Sequence, residues 1–226
     1  MKIVAVIPAR GGSKGIPQKN LHKVAGKPLI AWTIESAMAS KLIDTIVVSS
    51  DNEEILDFSK TYNTITNIKR PLELATDSAP TEPVLRHALD ELKLYEKYEY
   101  LILLQPTSPL RDSNDIDDAI TTLLASEATS LISVTQPDHH PLKSFVKDDE
   151  GYLKGLVNNQ FPFMPRQELP ETYQPNGAIY IVEVKEFLKN NKLFTNRTIA
   201  YNMSSEKSID VDSLEDVIKI ENQLKT

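Results

Sequence analysis

The chain has no cysteine among its 226 residues. That excludes a disulfide framework and any thiolate metal site, and makes a reducing compartment, the cytoplasm, the expected setting. It is also short of positive charge, with 25 Lys and Arg against 32 Asp and Glu and a formal net charge of -7. This balance opposes general attraction to nucleic acid, whose phosphates are gripped by clustered cations, so no nucleic-acid partner is expected and basic residues must act locally. Long apolar runs are missing too. The opening run from Ile3 to Ile7 stops at Pro8, far below the roughly 20 residues of a membrane helix, and no signal for export or insertion is read. There is no internal repeat, low-complexity tract or interdomain linker, so one domain over residues 1–226 is expected. What the chain does have, 40% apolar and 25% charged residues, suffices for a sizeable core.

Residues 2–7 are β-branched and almost continuously apolar, the pattern of a strand buried on both faces of a parallel sheet. A glycine-containing loop follows. Pro28 then opens a helix with Leu29, Trp32, Thr33, Ser36 and Ala37 at helical spacing, and residues 45–48 read as a second strand. Asp51 is the expected N-cap of a helix through Phe58, and residues 82–94 read as another helix. Strands over 100–104 and 131–134 and helices over 114–124 and 213–224 continue the alternation. The fold class expected is α/β: a three-layer, mostly parallel sheet with helices on both faces. Between residues 137 and 176 the rhythm breaks into two short strands, 143–147 and 152–156, around a turn, and then a proline-rich stretch. This is read as an inserted β arm that serves dimerisation, since so long a segment without a helix is functional or pinned against a partner.

Four segments can carry chemistry. PARGGSKGIPQKN, residues 8–20, leaves the first strand with three glycines and the cations Arg10, Lys14 and Lys19. Glycines let backbone N–H groups approach an anion, and the position is the usual ligand site of open α/β sheets. It is neither GxxxxGK[ST] nor GxGxxG, which also disfavours a nicotinamide-dependent oxidoreductase. RPLELATDSAPT, residues 70–81, offers small polar groups for a base or ribose, or equally capping and turn chemistry. LLQPTSPLR, residues 103–111, ends a buried strand in Gln105, both donor and acceptor, with Arg111 either functional or a surface cation on a stiff loop. Asp210 and Asp212, two apart on an extended segment, can share a face and hold a hard divalent cation, or simply cap the last helix. The adjacent His139 and His140 point apart and are read as loop positions; Asp44 is read as a turn residue and Trp32 as core.

These segments, with DHHPLK, RQELPETYQPNGAIYI and SIDVDSLED, stand in the order found in acylneuraminate cytidylyltransferases, and the chain resembles that family, the CMP-sialic acid synthetases, over nearly its whole length. The resemblance implies transfer of CMP from CTP to a sialic acid such as N-acetylneuraminate, in a homodimer whose arm reaches the neighbour's site. It implies that Arg10, Ser13, Lys19 and Asn20 hold the CTP phosphates and ribose, that Arg70, Ala79 and Thr81 read the nucleotide, and that Gln105 bridges nucleotide and sugar. Lys143 and Arg166 come from the arm to the sugar or its carboxylate, with Tyr180 nearby, and Asp210 and Asp212 bind Mg²⁺ or Mn²⁺. Lys19, Gln105, Asp210 and Asp212 are thus the catalytic expectations. The first three motifs are shared with Kdo, legionaminate and pseudaminate synthetases, whereas HHPLK and PNGAIYI lean toward the N-acetylneuraminate branch. One departure stands out: many relatives carry Arg two residues before the NG, where this chain has Gln174. A nucleotide-binding module without catalysis is the alternative from another class, and the intact Lys19, Asp210 and Asp212 oppose it.

Overall fold

The structure, a computed structural model, describes residues 1–224. In chain order it contains β1 (Ile3–Pro8), a ribbon of β2 (Lys23–Val24) and β3 (Lys27–Pro28), α1 (Leu29–Ala39), β4 (Thr45–Ser50), α2 (Glu53–Lys60) and β5 (Ile65–Lys69). There follow α3 (Thr81–Glu91), β6 (Tyr100–Leu103), α4 (Ser113–Leu124), β7 (Ser130–Thr135) and the arm strands β8 (Phe145–Lys147) and β9 (Leu153–Gly155). β10 (Gln174–Glu183), α5 (Val184–Asn190), β11 (Thr198–Asn202) and α6 (Leu214–Gln223) complete it.

Seven strands form one sheet in the order β11-β7-β10-β6-β1-β4-β5. All neighbours are parallel except β10, which runs antiparallel to both β6 and β7. β1 shows why the sheet is covered twice. Ile3, Ala5 and Ile7 face Ile30 and Ile34 of α1 and Ile116 and Ile120 of α4, while Val4 and Val6 face Leu85 and Leu89 of α3 and Phe187 of α5. Each Val, Leu, Ile or Phe so removed from water contributes about 1.5–3 kcal/mol. A smaller cluster seats α6 against the first loop through Ile16, Leu29, Val211, Val217 and Ile220. Among the described residues no helix is long and apolar enough to cross a membrane.

The expected elements are present, with instructive shifts. Asn52, not Asp51, caps α2, its side chain accepting the Ile55 N–H at 3.1 Å, because Asp51 is engaged by the first loop. The helix expected over 82–94 ends at Glu91, since Lys93 turns left-handed at φ 50° and begins a separate 3-10 turn. Trp32 is half-buried rather than core, its indole N–H donating to the Val24 carbonyl with Lys27 over its ring. The arm is a two-stranded antiparallel hairpin, Phe145 opposite Gly155.

Candidate active site

The first loop lies across the carboxyl ends of β1 and β4 and is fixed at several points. The Ala9 N–H donates to Ser49 O at 3.0 Å, the Gly11 N–H to Asp51 Oδ1 at 3.0 Å, and the Asn20 side chain to Arg10 O at 2.8 Å. Gly15 permits a close approach: a Cβ there would sit 2.3 Å from the Asp212 carbonyl oxygen. Across the same gap Lys19 Nζ donates to Val211 O at 2.7 Å and pairs with Asp212 Oδ1 at 3.1 Å. The loop and the segment before α6 are therefore one unit.

That unit bounds a cavity of about 260 Å³ lined by Arg10, Ser13, Lys19 and Asn20 from the loop, Arg70, Ala79 and Thr81 from the second segment, and Gln105 and Thr107 after β6. All eight residues expected to meet nucleotide or phosphate from these segments thus converge. Arg70 is buried and donates to Ser49 O at 2.6 Å; burial draws its guanidinium down to about 10, Asp51 opposing and Arg10 adding. Asp77, which no expectation singled out, pairs with Arg10 at 2.8 Å and with Lys14 at 3.4 Å. It was visible only as one polar residue of RPLELATDSAPT.

A second cavity, about 540 Å³, adjoins the first and is lined by Gln136, Asp138, Gln174, Gly177, Tyr180, Ser208, Asp210 and Asp212, among others. Gln105 stands at the boundary. Gly177 has a left-handed φ of 78°, which favours glycine, and a Cβ there would lie 2.8 Å from Gln105 Oε1 and 3.7 Å from Asp210 Oδ1, so both groups pack against this turn. Gly177 belongs to an irregularity in β10, between Pro175 and Tyr180, that the buried Asn176 secures: its Oδ1 accepts from Ser133 Oγ at 2.6 Å and its Nδ2 donates to Ser208 Oγ at 2.9 Å. The Asn-Gly pair was legible as a motif, but not as the wedge between the cavities.

Asp210 and Asp212 differ sharply. Asp212 is 79% exposed and paired with Lys19, whereas Asp210 is largely buried and its Oδ1 has no hydrogen-bond partner among the described residues. Burial raises the Asp210 carboxyl above its ordinary range, Thr107 opposing through a hydrogen bond and Asp212 adding to the rise. Burial likewise raises Tyr180, with Asp210 adding. An orphaned carboxylate oxygen beside an exposed carboxylate is a hard-oxygen donor set that fits a divalent cation with phosphate and water completing its shell. Among the described residues no group of three or more His, Asp and Glu side chains gathers to hold an ion without such help.

The arm residues are placed differently. Arg166 donates to Pro137 O at 3.3 Å and lines a neighbouring cavity with Ser204 and Glu206. Lys143 ends an exposed turn and lines neither site cavity. His140 caps that turn, accepting from the Leu142 N–H. Arg111, open in the sequence between a functional residue and a surface cation, is fully buried.

Comparison with known proteins places the chain in a family. The family model described as Cytidylyltransferase matches residues 4–225. An N-acylneuraminate cytidylyltransferase of Streptococcus agalactiae serotype V is 36% identical over 97% of this chain and 52% of its own length. The chain spans about half the length of the N-acylneuraminate cytidylyltransferases it matches. The CMP-N,N'-diacetyllegionaminic acid synthase of Legionella pneumophila is 35% identical over 94% of this chain and 92% of that protein. Among solved structures, a CMP:2-keto-3-deoxy-manno-octonic acid synthetase complexed with CTP superposes with a TM-score of 0.75 at 16% identity, covering 100% of this chain and 99% of that one, which shows a shared fold.

Proposed function

The chain belongs to the cytidylyltransferase family, and from that premise we propose that it transfers CMP from CTP to the anomeric hydroxyl of a sialic acid of the N-acetylneuraminate type, releasing pyrophosphate. One observation carries this reading: the nucleotide-sized cleft with Arg10, Ser13, Lys19 and Arg70 opens, across Gln105, onto a polar cavity edged by Asp210. In the reaction the anomeric oxygen forms a bond to the α-phosphorus, the bond to the bridging oxygen of pyrophosphate breaks, and the hydroxyl proton passes to solvent water. Such displacement needs alignment and charge neutralisation more than covalent help. Arg10 and Lys19 take the phosphates; Gln105, donor and acceptor together, orients the sugar against the nucleotide. Asp210 and Asp212 hold Mg²⁺ or Mn²⁺, which when bound neutralises phosphate charge.

The same machinery serves another ulosonic acid equally well, and Gln174 in the second cavity, with a legionaminate synthase among the relatives, favours that as the second reading. The arm belongs to a homodimer: Leu153, Val157 and Phe163 are 63%, 60% and 80% exposed on it, an apolar surface that a second copy would cover. A second copy would also bring Lys143 to a site that it does not reach within its own chain. Absence of cysteine and use of CTP fit the cytoplasm. Incubation with CTP, Mg²⁺ and N-acetylneuraminate, with the product identified by mass spectrometry, tests the reading: a CMP-sugar is expected, and unchanged CTP with every ulosonic acid offered overturns it.

A further inference from the structure

Arg111 is the largest fully buried side chain of the described residues, 1% exposed. Its Nη1 donates to Ala178 O at 3.0 Å and to Gln105 O at 3.3 Å; its Nη2 donates to Thr33 Oγ1 at 2.7 Å and to Ser36 Oγ at 3.4 Å. Nε has no partner, and no carboxylate among the described residues lies within ion-pairing distance. A core built for stability alone does better with an apolar side chain of this size, because desolvating a cation is costly and only hydroxyls and carbonyls compensate it here.

The acceptors show what the charge is near. Gln105 is the residue at the boundary of the two cavities, and Ala178 follows Gly177, the wedge against the Gln105 side chain. We propose that Arg111 is a positioning residue for CMP transfer, clamping Gln105 and the Gly177 turn together while placing a fixed, unpaired positive charge behind the wall where the polyanionic substrate binds. This rests on the cytidylyltransferase reading.

The charged surroundings are sparse. α1 presents Thr33 and Ser36, β10 the Ala178 carbonyl and the strand end after β6 the Gln105 carbonyl. α4 contributes Asp115, which favours the cation but is itself bonded to Lys207 at 2.9 Å and to the Asp112 N–H at 3.0 Å. Burial draws the guanidinium down to about 10, which leaves it charged at neutral pH.

The test replaces it in two ways. Arg111→Lys keeps a charge that burial makes easier to lose, since an ammonium gives up its proton far more readily than a guanidinium. The ratio of its kcat/KM for CTP to that of the wild type is expected to fall about tenfold between about pH 6.5 and about pH 9, the effect of one unit charge at an effective dielectric of about 20. Arg111→Met is expected to show a loss of about tenfold or more at every pH, with a pH-independent ratio. A flat Arg111→Lys ratio, or Arg111→Met at wild-type kcat/KM, overturns the proposal, because a charge that acts on the bound polyanion must follow protonation. If the wild type releases no pyrophosphate from CTP, the cytidylyltransferase reading fails instead. CTP affinity by calorimetry on the same variants then decides the charge separately, equal affinity for Arg111→Met and the wild type overturning it.

Discussion

Lys19 and Asp212, 193 residues apart in sequence, meet at 3.1 Å, and the same ammonium donates to the Val211 carbonyl at 2.7 Å. This contact closes the first loop onto the segment before the last helix, so the residues read as phosphate-binding and those read as metal-binding act as one group. Because Asp212 is 79% exposed, the pair contributes at most about 1 kcal/mol to stability. Asp212→Asn is therefore expected to leave the thermal midpoint nearly unchanged while lowering kcat by about a hundredfold or more. Parallel calorimetry and turnover measurements check this, and wild-type turnover would remove Asp212 from the chemistry.

Gly15 makes that closure possible. A methyl group at this position collides with the Asp212 carbonyl at 2.3 Å, a backbone atom that cannot swing aside. Gly15→Ala is expected to fold but to displace the loop, lowering kcat/KM for CTP by about tenfold or more. Circular dichroism beside steady-state kinetics separates this outcome from unfolding.

Asp77 pairs with Arg10 and Lys14, and Arg10 is one of the cations proposed to take the phosphates. Removing its charge frees both cations, although Asp77 also lines the nucleotide cavity. Asp77→Asn should lower KM for CTP about threefold, the size of a half-exposed ion pair, with kcat retained. An increased KM would instead make Asp77 part of the nucleotide grip.

Much of the sheet was legible because its central strands are continuous apolar runs, and β1, β4 and β6 fall within two residues of expectation. β10 was not, since Pro175, Asn176 and Gly177 read as turn signals and its two neighbours, β6 and β7, come from distant sequence. β5, α5 and β11 were missed as well, being short elements around the expected core. The first loop was legible as a ligand site because glycines and cations follow a strand end; the second segment and Gln105, open on their residues alone to capping or loop roles, were singled out by the family resemblance, and all three line one cavity. Arg111 was not, for nothing in LLQPTSPLR says which way its guanidinium turns; that depends on acceptors supplied by α1 and β10. The swap of Asp51 for Asn52 as cap has the same cause, a tertiary partner at Gly11 outbidding the local one.

The acid limb of stability follows from Lys207, which bridges Asp112 at 2.7 Å and Asp115 at 2.9 Å. Burial raises the Asp112 carboxyl, but the Lys207 hydrogen bond and the backbone N–H groups of Asp115 and Asn114 outweigh it, and the group lies below its ordinary range. A depressed acid stabilises the fold above its unfolded pKa, about 4, and loses that contribution as pH falls through the lower folded value. Lys207→Met should move the onset of acid unfolding to higher pH, measured by circular dichroism against pH. An unchanged onset would show that Asp112 does not depend on the bridge.

The central claim is the reaction itself, and initial rates of pyrophosphate release from CTP and Mg²⁺ test it most directly, with N-acetylneuraminate, a legionaminate, Kdo and no sugar run in parallel. Release that depends on N-acetylneuraminate and is slower with the other acids is the predicted result. Preference for another ulosonic acid would keep the reaction and transfer the sugar assignment to Gln174, whereas no sugar-dependent release from any of them would contradict the account.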